Sequence, residues 1–187
     1  MAKYVFLIFT FMSLSSSVRC EAFGNNSLNI PHVGAIFFDS LFSEIQKPWG
    51  IGTQWSVGTS YKQALDYQWW WVVETTFASG TLSFDDEEFV SSFLGGAGVR
   101  YNFLYENLRP YSGVLLHYLQ FLGNKAKNLP LNLDWPIFVG LKPHLGIEWL
   151  FYSEMALVLE CAYALYFNIH ESFKHALFSH VSFAFYF

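Results

Sequence analysis

The stretch "SHVSFAFYF", Ser179 to Phe187, decides the fold. Phe183, Phe185 and Phe187 alternate with Ser182, Ala184 and Tyr186. Period-two alternation is the signature of a strand with two unlike faces. In a water-soluble domain a bare aromatic strand of this kind invites edge-to-edge aggregation. The remainder of the chain must therefore supply a partner strand and an apolar surround for those rings.

The composition points the same way. Of 187 residues, 53% are hydrophobic, 21% aromatic and 13% charged, against a usual charged share of about 25%. Beyond the N-terminus, no apolar run reaches the roughly 18 residues that a spanning helix needs. The hydrophobicity is instead divided into short pieces broken by Gly, Ser, Asn and charge. A net charge of −5 without a basic cluster argues against nucleic acid as a partner.

Lys3, the apolar "YVFLIFTFMSL" and the exit "SSSVRCEA" have the basic, apolar and small-residue order of a secretory signal. Residues 1–22 are expected to be that signal, cleaved after Ala22, and residues 23–187 the mature domain. Cys20 raises a lipoprotein alternative, which Arg19 before it and the missing upstream Leu weigh against. With Cys20 removed, Cys161 has no partner for an intrachain disulfide and reads as a small apolar side chain.

Working back from the C-terminus, the same alternation recurs. In 155–167, Leu157, Leu159, Tyr163 and Phe167 oppose Ala156, Glu160, Ala162 and Ala164. In 137–149, Ile137, Val139, Leu141, Leu145, Ile147 and Trp149 oppose Gly140, Lys142, His144, Gly146 and Glu148. In 93–103, Phe93, Val99, Tyr101 and Phe103 oppose Gly96, Gly98, Arg100 and Asn102. In 68–78, Trp69, Trp71, Val73 and Phe77 oppose Gln68, Glu74 and Thr76. In 49–58, Trp49, Ile51, Thr53, Trp55 and Val57 oppose Gly50, Gly52, Gln54 and Ser56. Residues 111–122 are almost continuously apolar, so their facing is open, and 31–42 is the weakest strand. A Gly-x-polar-aromatic pattern at Gly52, Gly98 and Gly146 marks an internal repeat of about two strands. Short turns follow each copy, and connections as long or longer lie at the other end. This is an up-and-down meander.

The faces are inverted relative to a soluble lipocalin-like ligand-binding barrel, which keeps its large apolar residues inside. Here Trp, Phe and Leu share one face, and Gly, Ala, Ser and occasional charges share the other. Large side chains outside need a bilayer, and a sheet in lipid must close to pair its backbone. The expected fold is all-β: a closed antiparallel transmembrane barrel of about eight strands.

The alternating aromatics ending on Phe187 resemble the C-terminal sorting signal of bacterial outer-membrane proteins. "GIEWLFYSEMALVLECAY" (146–163) and "RPYSGVLLHY" (109–118) are similar to segments of the OmpA-like and OmpX-like eight-stranded barrels. The resemblance covers residues 30–187 as a pattern. It implies the bacterial outer membrane as the location, and outer-membrane lipid and lipopolysaccharide as surroundings. It also implies that the barrel-assembly machinery reads Phe183, Phe185 and Phe187, and that any extracellular partner, unidentified here, is met by the loops.

The expected inward polar set is Gln54, Glu74, Arg100, Lys142, His144, Glu148, Glu160 and His180. An eight-stranded barrel is just wide enough for side chains to fill it, so this set reads as a paired structural network and not as a conducting lumen. His180-Val181-Ser182 raises an enzyme alternative, a lipid A deacylase-like hydrolase. Residues two apart in a strand point the same way, however, here inward and away from lipid. His32, His117, His170 and His175 show no metal-ligand spacing, and no cofactor, metal or catalytic residue is expected. The run "DDEE" (85–88) reads as a solvated loop.

Overall fold

The computed structural model describes residues 25–38, 50–82, 85–104, 107–122, 137–168 and 171–187. The proposed signal, residues 1–22, lies outside them. Eight strands follow in chain order: β1 (Asn26–Phe37), β2 (Ile51–Ala64), β3 (Trp69–Leu82), β4 (Asp85–Asn102), β5 (Leu108–Leu122), β6 (Ile137–Tyr152), β7 (Met155–Asn168) and β8 (Glu171–Tyr186). Each pairs antiparallel with its neighbour, and β1 pairs with β8, so the sheet closes into a barrel. At the seam, Asn26 and Phe187 exchange backbone hydrogen bonds of 3.2 and 3.0 Å. The terminal Phe thus completes the ladder that the sequence left unpartnered.

The barrel has two unlike ends. At one, residues 65–68, 103–107 and 153–154 join strands by short turns. Asp66 holds the first of these, its Oδ1 accepting from the backbone of Gln68 at 2.8 Å and of Trp69 at 2.7 Å. At the other end, residues 38–50 and 123–136 make long connections, whereas 83–84 and 169–170 are all that separate β3 from β4 and β7 from β8. The acidic run Asp85–Glu88 therefore belongs to strand β4, not to a loop. The hairpin continues through it because the ladder resumes at Leu82↔Asp85 after an irregularity.

The outward face is apolar: Trp55 is 73% exposed, Leu145 64% and Leu116 60%, with Phe77, Phe93, Leu141, Trp149, Phe183 and Phe185 also exposed. Strands of 12–18 residues exceed the roughly 9–11 that a tilted strand needs to cross a bilayer. The inward face is not filled mainly by Gly and Ala, as the alternation suggested. Trp70, Leu115, Leu119, Phe138, Tyr166 and Phe178 are buried inside the barrel. Luminal glycines instead let strands crowd together: a Cβ on Gly98 would strike the Val114 carbonyl, and one on Gly140 the Leu165 carbonyl.

Two irregularities correct the sequence reading. The first strand is 26–37, not 31–42. Between Asn29 and His32, β1 advances three residues while β2 and β8 each advance two. This bulge places Ile30 and Pro31 outward in succession. It also suits proline, which has no N–H to give the ladder. A similar shift between Ile51 and Gln54 turns Ile51 into the core, off the apolar outer face where strict alternation puts it. Strand β5 is apolar on both sides, with Leu115, Leu119 and Phe121 inside and Val114 and Leu116 outside, which settles its facing.

Candidate functional site in the barrel lumen

Strict alternation between bulges delivers all eight expected polar residues to the inside. Gln54, Glu74, Arg100, Lys142, His144, Glu148 and His180 are buried and Glu160 is nearly so. Seven of them form a polar belt in two clusters. Gln54 stands apart toward the loop end, accepting from Ser92 Oγ at 2.6 Å and donating to the Val90 carbonyl at 3.1 Å.

The cluster nearer the short turns is built on Glu148. Its Oε1 receives Lys62 Nζ at 2.5 Å and Arg100 Nη1 at 3.2 Å, and its Oε2 receives Arg100 Nη2 at 2.5 Å. Arg100 Nε donates to Asn102 Oδ1 at 2.7 Å, and its guanidinium lies 3.6 Å from the centre of the Tyr111 ring. A bidentate fork of this kind is among the strongest ways to hold a buried carboxylate. The arrangement comes from three strands that reach this level two to four residues before their ends.

The second cluster lies deeper. Lys142 Nζ donates to Glu74 Oε1 at 2.6 Å and is 3.8 Å from Glu160 Oε1. Glu74 also meets His117 Nε2 at 3.1 Å, and His117 Nδ1 is 2.6 Å from Tyr166 Oη. Tyr111 Oη donates to Glu160 Oε2 at 2.9 Å. Beyond these, His180 Nε2 is 3.3 Å from Ser56 Oγ, and the His32 and His180 rings stand edge to face, 3.9 Å between centres. His144 packs edge-on against Tyr111, 5.9 Å between centres.

Lys62, His32 and His117 were missed by the sequence reading. Lys62 was legible in principle, since the polar parity of β2 runs on from Gln54 through Ser56 and Ser60 to Lys62. His32 was not, because the bulge reverses the parity just before it.

Above the belt, toward the long connections, the lumen is packed with an apolar cluster that includes Ile36, Leu94, Leu119, Phe138 and Phe178. Below it, Trp70, Leu150, Val158 and Tyr186 pack among the charges.

No family model matches the sequence, and no curated protein matches it. Among solved structures, Neisserial surface protein A superimposes with a TM-score of 0.59 at 13% identity, over 89% of this chain and 100% of that one. The outer membrane protein OprG from Pseudomonas aeruginosa gives 0.53 at 10% identity, over 87% of this chain and 96% of that one. The chain is an eight-stranded barrel of the outer-membrane type. Identities this low speak of the fold, so the site must be judged on its own geometry.

On that geometry, His180 and Ser182 both face inward, but His180 is paired with Ser56 and Ser182 receives Asn29 Nδ2 at 3.4 Å. The His-x-Ser spacing therefore brings no hydrogen-bonded pair together. Ser56, His180 and Glu160 do follow one another as hydroxyl, imidazole and carboxylate. They do so in a packed interior, turned away from the lipid that a lipid hydrolase would attack. Phe183 and Phe185 point outward on β8, and Phe187 is exposed at the seam.

Proposed function

We propose that this barrel resides in the bacterial outer membrane and acts as a structural or surface-interaction protein, without catalysing a reaction or conducting ions. The carrying observation is the filled lumen: buried apolar side chains close it toward the long connections, and ion pairs occupy what remains. A barrel of eight strands leaves side chains little space around which to build a channel. In this reading the short turns at 65–68, 103–107 and 153–154 face the periplasm. The connections at 39–49, 83–84, 123–136 and 169–170 face outward, where a partner is met. The aromatic outer surface contacts lipid and, in the outer leaflet, lipopolysaccharide.

Phe183, Phe185 and Phe187 then serve as both closing strand and assembly signal. Changing Phe183 and Phe185 to Ser should deplete the outer membrane of the protein while export continues, because each lipid-facing Phe contributes about 1.5–3 kcal/mol of apolar burial. Fractionation with heat-modifiable gel migration reads the result; unchanged outer-membrane levels would remove the assembly role. The functional class is tested on the purified barrel in planar bilayers and on lipopolysaccharide. Steady conductance or lipid hydrolysis would sink the structural reading. Protease added to whole cells should cut within 39–49 or 123–136, and cutting confined to the short turns would reverse the orientation.

A further inference from the structure

The second luminal cluster has bonding capacity that the protein does not use. His32 Nδ1 and Nε2, His180 Nδ1 and Glu160 Oε1 are all buried without a hydrogen-bond partner. His32 is 4% and His180 3% exposed. Buried polar atoms are almost always paired, so four orphans at one place call for an explanation. Ligand atoms from His32, His180 and Glu160 lie within 4.8 Å of one another. They come from β1, β8 and β7, neighbours across the seam.

We propose that His32, His180 and Glu160 bind a divalent transition-metal ion of the zinc class inside the barrel. The donor set decides the class. Two imidazoles and one carboxylate suit Zn2+ and its neighbours, whereas Ca2+ and Mg2+ take oxygen ligands. Three protein ligands leave a fourth position for water.

The remaining contacts of each side chain suit the role. Ser56 Oγ sits 3.3 Å from His180 Nε2, which leaves Nδ1 as the free ring nitrogen. Orienting bonds of this kind, from outside the ligand set, are the usual companion of a metal-bound His. Tyr111 holds Glu160 by Oε2 at 2.9 Å, leaving Oε1 free. Lys142 is a rival for Oε1, but its close partner is Glu74 at 2.6 Å, against 3.8 Å for Glu160. Glu74 and Glu160 bring two carboxylates beside the Lys142 ammonium. The bulge is part of the device: it turns His32 inward opposite Ser182, on a strand whose earlier parity would have put it in lipid. Bulges commonly re-aim a side chain at a functional position.

The packed apolar cluster above the belt implies that the ion is taken up while the barrel assembles. Tag-free protein is therefore refolded into detergent with Zn2+ or Co2+, passed over gel filtration with chelator, and its folded fraction confirmed by heat-modifiable migration. About one retained ion per folded chain, with the intense visible spectrum of four-coordinate Co2+, is expected. His175→Gln, which alters an outward histidine, should retain the ion. The double variant His32→Gln/His180→Gln should lose it, as should Glu160→Gln in large part. Wild-type protein that folds and retains no ion would overturn the proposal. So would retention by the double variant equal to wild type, or a weak six-coordinate Co2+ spectrum. If the variants fail to fold, the wild-type stoichiometry and spectrum still decide. None of these outcomes bears on the surface role proposed above.

Discussion

The two charge clusters of the lumen differ in completeness. Around Glu148 both carboxylate oxygens are engaged, by Lys62 and by the Arg100 fork. Around His32, His180 and Glu160 four polar atoms have no hydrogen-bond partner. Both clusters are buried in the same barrel, so burial does not explain the difference. A closed network of opposite charges is what a barrel needs to bury polar groups at all. An open one costs stability and persists for some other reason, such as a ligand. The comparison separates scaffold from candidate site inside a single lumen.

The comparison breaks most visibly at Glu148. Glu148→Gln leaves Lys62 and Arg100 facing each other in the interior, and should destabilise the barrel by about 3–5 kcal/mol, the cost of stripping one partner from a buried pair. Urea unfolding in detergent micelles measures it. A loss below about 1 kcal/mol would mean that water reaches the cluster and that it is not the scaffold.

Lys142 should be intermediate. Lys142→Met removes the 2.6 Å bond to Glu74 but leaves that carboxylate its His117 contact. A loss of about 1.5–3 kcal/mol is expected, in line with one hydrogen bond to a charged group. A loss equal to that of Glu148→Gln would make the two clusters one network.

The smallest effect belongs to His32. In metal-free buffer His32→Leu should change stability by less than about 1 kcal/mol, or raise it, because a buried polar ring without a hydrogen-bond partner is exchanged for an apolar side chain of similar size. A large loss in chelator would show that His32 already has a partner, such as bound water, and the contrast between the clusters would fail.

Much of this was legible from alternation alone. Strands β6, β7 and β8 read correctly because each keeps one parity over the span that crosses the membrane, and Lys142, Glu148, Glu160 and His180 followed from it. Where alternation failed, a local geometry or a missing contrast was responsible. The β1 bulge reverses parity between Asn29 and His32, so Ser27 and Asn29 face inward on odd numbers, and His32 and Ile36 on even ones. In β5 both faces are apolar, leaving no contrast to read. Large luminal residues such as Trp70 and Phe178 were overlooked because the inward face was taken from its small and polar members. The pairing of His32 with His180 lay beyond any reading of spacing: they stand 148 positions apart, and only closure of β1 on β8 brings them together.

The bulge also has a consequence for how the gene can change. Strand β1 holds one residue more than its partners between Asn29 and His32, and its outward pair, Ile30 and Pro31, contributes no luminal contact. A substitution of the Ile30 side chain alters the outer surface and leaves the luminal set in place. A single-codon deletion there removes the extra residue, and β1 must then present either Ser27 and Asn29 or His32 and Ile36 to the wrong side, since a one-residue slip exchanges the faces of a strand. Lineages of this barrel should therefore vary among apolar side chains at 30 while conserving the count of residues, with tolerated insertions and deletions gathered in the connections at 39–49 and 123–136.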